Sequence, residues 1–343
     1  MEDYSFITSQ FVYSFSRINS FYSGCKLSWF KTYIELEERC SSYDTEFGSF
    51  CHQILEMFYK GELDQYELAP YYEKYYKDKV TTPCPYPNGD TKYAKALEYF
   101  QNFTFDFDKY EILGVEKEIR YKLKDEYELV GYIDLLYREK ETGKIILQDH
   151  KSSQFKILKN GNVSKSDQEH FTAFKRQQYL YSYAILKEYG RVDRLEWNMF
   201  NQQIILPIDW SEEEMNEAID WAYDTIKKIE TETEYPADPN WYFCSNLCNS
   251  RLSGCPYKRL GMIYDGIYAK CYNEKNKDFF EYGGMGIGMC EDWKNNKQEF
   301  FKWALESGYD EDMILKRYDE EADYDFFNCY WEPRPAYEEY GGM

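Results

Sequence analysis

Residues 127–151 read YELVGYIDLLYREKETGKIILQDHK, and their pattern decides the fold. Two β-rich runs, 127–138 and 144–151, flank a short polar loop in which Gly143 suits the turn. The apolar KIIL run opening the second predicts a strand buried at its centre. Immediately upstream, ILGVEKEIRYKLK (112–124) predicts a third strand. Downstream come a predicted helix at 170–189, a strand near 194–206 and a helix near 211–230. Helices around a small mixed sheet place the chain in the α/β class.

The N-terminal region is helical in pattern. Ser16 is placed to cap a helix through INSFYSGCKLSWFKTYIELEE, and a second runs from about Phe47 to Tyr59. Residues 64–105 add helices interrupted by the turn-forming TPCPYPNGD segment. After Pro236 the texture changes to WYFCSNLCNSRLSGCPY, and the last 70 or so residues alternate acidic and aromatic clusters, with one helix near 291–306. The division expected is a helical region at 1–110, a core at 111–235, a cysteine-rich segment packing on that core at 236–270, and an acidic aromatic appendage at 271–343.

At 43% hydrophobic and 20% aromatic residues, the 343-residue chain has the apolar content of a folded protein. No apolar run is long enough for a membrane span, and the N-terminus lacks a signal-peptide pattern, so a cytoplasmic location is expected. The net charge of −21 disfavours a general nucleic-acid coat. Yet the charge is uneven. Residues 143–205 carry ten Lys or Arg against six Asp or Glu, whereas 272–343 carry eight against eighteen.

The chemistry concentrates in GYIDLL and LQDHKSS. If 127–138 and 144–151 are neighbouring strands, Asp134 and Asp149 converge at one sheet edge, and Asp149 and Lys151 share a face. Two carboxylates suit Mg²⁺ or Mn²⁺, and a lysine beside them can orient water or stabilise charge on a phosphoryl group. Taken singly, each is equally a solvated strand terminus. His52, in the helix FGSFCHQILE, adds an imidazole that suits Mn²⁺, with Glu56 one turn later to orient it and Gly48 permitting close approach. In FKRQQYLYSYAIL, Gln177 and Tyr181 share a helical face while Leu180 and Tyr183 pack. Lys175 and Arg176 there add capacity for phosphate contacts.

Taken together, GSFCHQILE, GYIDLL, QDHKSS and QQYLY resemble the RecB-type branch of the PD-(D/E)XK nuclease superfamily, over roughly residues 14–230. They are most similar to AddB-like and CRISPR-associated RecB-like exonucleases. The resemblance implies a restriction-endonuclease-like central sheet and a catalytic set of His52, Asp134, Asp149, Lys151, Gln177 and Tyr181. It makes His52, Asp134, Asp149 and the carbonyl of His150 metal ligands. The activity implied is metal-dependent hydrolysis of DNA, at ends or in single strands, in repair or recombination.

Cys244, Cys248 and Cys255 form C-x₃-C-x₆-C before Pro256. Three thiolates supply most of a structural zinc site or an iron–sulfur cluster, and packed thiols are the plain alternative. The resemblance nominates Cys25 as the fourth ligand of a 4Fe–4S cluster, stapling the N-terminal helix to the end of the nuclease region; Cys271 competes for that place. The relatives' opening CxxC is one residue tighter.

The expected partner is DNA, single-stranded or with a free end. No P-loop motif is present, so unwinding needs a helicase on another chain, and the acidic tail could also meet a recombinase or replication protein. Against the nuclease reading stand a catalytically silent DNA-binding or assembly subunit and an iron–sulfur electron carrier. The second leaves Asp149 and Lys151 without a role.

Overall fold

The computed structural model describes residues 4–87 and 89–334. Asn88, within the predicted TPCPYPNGD turn, the first three residues of the N-terminus and the appendage's residues 335–343 lie outside the described residues. In chain order the helices are α1 (Ser5–Thr8), α2 (Phe15–Ser23), α3 (Lys26–Tyr33), α4 (Tyr43–Tyr59), α5 (Leu68–Lys79) and α6 (Gly89–Asn102). Strands β1 (Tyr110–Leu123), β2 (Tyr127–Glu139) and β3 (Ile145–Lys151) follow, then α7 (Gln168–Tyr189), β4 (Arg194–Met199), β5 (Ile204–Asp209) and α8 (Glu212–Thr231). The remainder holds α9 (Trp241–Asn246), α10 (Tyr257–Tyr272), α11 (Glu291–Asn295), α12 (Lys297–Glu306), β6 (Met313–Arg317) and β7 (Cys329–Pro333). These elements form two compact units, 1–23 with 41–233 and 24–40 with 234–343.

The first unit is a mixed sheet flanked by helices, in strand order β1-β2-β3-β4-β5. β1, β2 and β3 are antiparallel neighbours, β3 runs parallel to β4 through the α7 crossover, and β5 returns antiparallel. The β2–β3 ladder runs from Arg138 opposite Ile145 to Leu135 opposite Gln148. The next step would place Asp134 across from Asp149. There the ladder gives way, and the His150 amide instead donates to Asp134 Oδ2 at 2.6 Å. Alternation sends Asp149 and Lys151 to the face covered by α7, and Gln148 and His150 to the face covered by α4 and α6.

That second face is the unit's aromatic core. Phe47, Phe50, Ile54, Leu55 and Phe58 of α4 pack with Leu68 and Tyr72 of α5, Phe100 of α6, and Leu135 and Ile146 from the sheet. Each such side chain contributes roughly 1.5–3 kcal/mol on burial, so α4 is held rigidly while its His52 reaches the sheet edge.

Local departures from the sequence pattern have identifiable causes. The first predicted helix is two, because Gly24 and an extended Cys25 interrupt it. α2 also begins before Ser16, with Ser14 Oγ accepting from the Arg17 amide at 3.3 Å. α4 starts four residues earlier than Phe47, at a capping box in which Ser42 and Thr45 exchange hydrogen bonds. The single strand expected near 194–206 is the hairpin β4–β5, which turns through Phe200–Gln203 with Gln203 at φ 55°.

The second unit has its own core, with Leu260, Tyr264, Ile267, Trp293, Phe300 and Phe301 at its centre. The helix expected near 291–306 is α11 and α12, parted by Asn296, whose side chain caps the second. β6 and β7 pair antiparallel, Leu315 opposite Trp331. Among the described residues no helix is long and apolar enough to cross a membrane.

Candidate active site

Two groups of side chains meet where β2 and β3 part. In the first, His52 Nδ1 from α4 lies 3.5 Å from Asp134 Oδ2. The imidazole also packs edge-on to the His150 ring, the two centroids 5.6 Å apart. Glu116 of β1, which the motifs did not single out, completes this group. One donor atom each from His52, Glu116 and Asp134 lies within 4.8 Å of the others. Glu116 reaches it from a left-handed backbone position, φ 47°, that few non-glycine residues adopt. The signal that could have found it is register: with Leu123 opposite Tyr127, residue 116 falls across from residue 134.

The second group is built on β3 and α7. Lys151 Nζ donates to Asp149 Oδ1 and to Gln177 Oε1, both at 3.1 Å, and stands 4.9 Å from the centre of the Phe174 ring. Gln177 Nε2 in turn lies 3.5 Å from Tyr181 OH. Tyr181 lies on the backbone of Gly131, where an added Cβ would meet its ring at 2.4 Å. That contact gives GYIDLL its glycine: a side chain there would push away the tyrosine that backs Gln177.

The electrostatics are those of a site short of positive charge. Burial raises the Asp134 carboxyl well above the usual range, and the charge of Asp149 adds to the rise. Glu116 is pushed up to about 7, first by burial and then by Asp134. Burial and the Lys151 charge lower His52, leaving a neutral imidazole with a free lone pair. Asp149 Oδ2 is buried without a hydrogen bond, in ion-pair range of Lys151 Nζ at 2.8 Å. Hard oxygens and one imidazole held close, with uncompensated negative charge, fit a divalent cation.

Other expectations meet specific contacts. The His150 imidazole is buried, stacked on Tyr59 and edge-on to the His52 ring, and lies 3.1 Å from Asn198 Nδ2, so the ring itself is engaged within the fold. Glu56 pairs with Lys60 rather than with His52. Gly48 sits inside α4 with room for a side chain, the nearest atom to an added Cβ being 3.9 Å away, so close approach does not require it. Lys175 is bound to Glu214, and Arg176 lies over the Tyr22 and Trp221 rings. Lys175 and Arg176 are thus engaged within the fold.

In the second unit, Cys25, Cys244, Cys248 and Cys255 line one small cavity. Cys25 Sγ accepts from the Asp238 amide at 3.3 Å. Burial raises the Cys244 and Cys255 thiols, and mutual repulsion among the four raises them further. Cys271 is packed in the hydrophobic core of this unit, outside that cavity. Four sulfur donors around one space fit either a cluster or a zinc ion by donor type.

No curated protein matches the chain. Among solved structures, a crystal structure of a protein from Eubacterium rectale, provisionally named an exonuclease, aligns with a TM-score of 0.43 and 12% identity, covering 74% of this chain and 89% of that one. The profile of the PD-(D/E)XK nuclease superfamily matches residues 12–260, a span that takes in both groups at the parting of β2 and β3, and the chain belongs to that superfamily.

Proposed function

We propose that the chain is a divalent-metal-dependent DNA exonuclease of the RecB-type branch, acting on ends or single strands. One observation carries the reading: the His52–Glu116–Asp134 donor set stands beside the Asp149–Lys151–Gln177 group at one sheet edge. A divalent ion held by His52, Asp134, Asp149 and the His150 carbonyl, with Glu116 added, would supply Lewis acidity to the phosphodiester and to an attacking water. The rest falls to the protein's own side chains. Lys151 offers its ammonium to phosphoryl oxygens, and Asp149 and Gln177 fix its direction. Tyr181, whose phenol burial holds up at about 12, remains a donor and backs Gln177. His52 stays neutral beside Asp134.

A 4Fe–4S cluster on Cys25, Cys244, Cys248 and Cys255 is the second part of the proposal, with a structural role. Its support is the shared cavity of these four cysteines. A helicase, recombinase or replication protein would deliver the strand.

The test digests 5′-labelled linear and covalently closed circular single strands with Mg²⁺ or Mn²⁺. Degradation of the linear strand with the circle spared is expected. Equal cutting of the circle would replace the exonuclease assignment with an endonuclease one, and absence of metal-dependent cleavage of either would overturn the proposal.

A further inference from the structure

A cavity of about 450 Å³ opens on the face of the sheet opposite Asp149 and Lys151. Its walls are aromatic, with Tyr59, Phe103, Phe105 and Tyr110 among them, and its floor is polar, formed by Gln148 of β3 and Glu196 and Asn198 of β4. The floor is buried: Gln148 is 4% exposed and Glu196 5%. Glu196 Oε2 accepts from Tyr137 OH at 2.6 Å and from Gln148 Nε2 at 2.9 Å. These bonds orient the pair. Gln148 Nε2 is committed to the carboxylate, so Gln148 Oε1 has no donor, and Glu196 Oε1 has only Arg194 NH1 at 3.6 Å. Neither oxygen is among the buried atoms left without a partner, so both stay open to solvent and can take up donors from a molecule in the cavity.

The chemistry of a matching ligand follows. Among the described residues no lysine or arginine lines the cavity, and Asp106 adds a second carboxylate, so a phosphate group is not accommodated inside it. Aromatic walls favour a flat ring, which stacks on them. The floor asks for two adjacent donors. Adenine and cytosine offer a donor beside a ring-nitrogen acceptor, and thymine one donor between two acceptors. Guanine presents its ring N–H and its amino group side by side. We propose that this cavity binds a guanine base, carried either by a free nucleoside or by a nucleic-acid strand, at a site separate from the nuclease centre.

Calorimetric titration of the full-length protein with guanosine, inosine, adenosine and spermidine tests this, alongside oligonucleotides of dT with and without a single dG. Guanosine or the dG-containing strand should bind, and whichever does identifies the carrier. Inosine, lacking the amino group, should bind about tenfold or more weakly. Glu196→Gln should remove the preference for guanine over inosine. Ile205→Trp, at the half-exposed rim, should block binding without touching the buried floor, which keeps the test valid if Glu196→Gln fails to fold. Metal-dependent cleavage of unmodified dT strands should be unchanged in both. Absence of binding by guanosine and the dG strand, equal affinity for inosine, wild-type binding by Ile205→Trp, or binding of spermidine alone would each overturn the proposal.

Discussion

Glu116 is an acid in the middle of a strand, held at an unfavourable backbone angle and partly buried beside another carboxyl. A bound cation would offset the cost of that arrangement. Glu116→Gln should therefore weaken Mn²⁺ binding by about tenfold or more while the protein stays folded, read by calorimetric titration of Mn²⁺ against the wild type. Unchanged affinity would remove Glu116 from the metal set. Gly131 makes the complementary point about shape. Gly131→Ala should cost roughly 1–3 kcal/mol by overpacking against Tyr181, and most of that cost should vanish when Tyr181→Ala is already present, in urea unfolding of the four variants. Additive losses would mean that the ring is not what excludes a side chain there. Asp134, Asp149 and Lys151 were legible because two-residue alternation and neighbouring strands suffice to converge them. Glu116 was not, because its place depends on counting the β1–β2 register back seven residues from the turn, and no local motif marks it.

Elements were most legible where one period dominated. α7, α8 and the three strands β1–β3 fall within two residues of the sequence pattern. The β4–β5 hairpin was hidden because its turn has neither Gly nor Pro. Side-chain amides hold it instead: buried Asn201 Nδ2 donates to the Ser152 carbonyl, and half-buried Gln202 bonds the Phe155 backbone through both its amide atoms. β6 and β7 were hidden because each spans five residues and a long acidic loop divides them. A similar polar clamp sits at the start of α4. Glu46 accepts from the Thr81 and Thr82 amides at 2.8 and 2.7 Å and from Ser41 Oγ at 2.7 Å. These bonds outweigh burial and lower its carboxyl to about 2. Its folded value lies below the unfolded one, so its stabilisation is present above about pH 4.5 and is lost as pH falls toward 2. Allowing for solvent screening, Glu46→Gln should cost about 1 kcal/mol at pH 7, with the gap closing through that window in denaturant melts. A gap independent of pH would rule out the charged clamp.

At the scale of the whole molecule, the acidic balance looked adverse to DNA, and the basic α7 residues that seemed to offset it serve the fold. Positive charge at the site would thus rest on Lys151 and on the cation proposed for the His52–Glu116–Asp134 group. The cysteines were only partly legible. Spacing marked Cys244, Cys248 and Cys255, but a partner 219 residues before the first of them could be nominated only by resemblance, since contact order is invisible to local pattern. The cluster proposal predicts that anaerobically purified protein carries iron and sulfide, and that Cys25→Ser, Cys244→Ser, Cys248→Ser and Cys255→Ser each lose them and melt lower, whereas Cys271→Ser and Asp149→Ala keep them. Stoichiometric zinc without sulfide would assign the site to zinc, and retention in Cys25→Ser with loss in Cys271→Ser would refute the ligand set. The central claim is catalysis at the parting of β2 and β3. It is tested most directly by digesting end-labelled single-stranded DNA with Mn²⁺, using wild type and a folded Asp149→Ala variant side by side. The account predicts label released as nucleotides or short fragments by the wild type, abolished by chelation, and slowed by about a hundredfold or more in the variant. A variant that keeps near-wild-type turnover, or a wild type that binds the strand with metal and never cuts it, would contradict it.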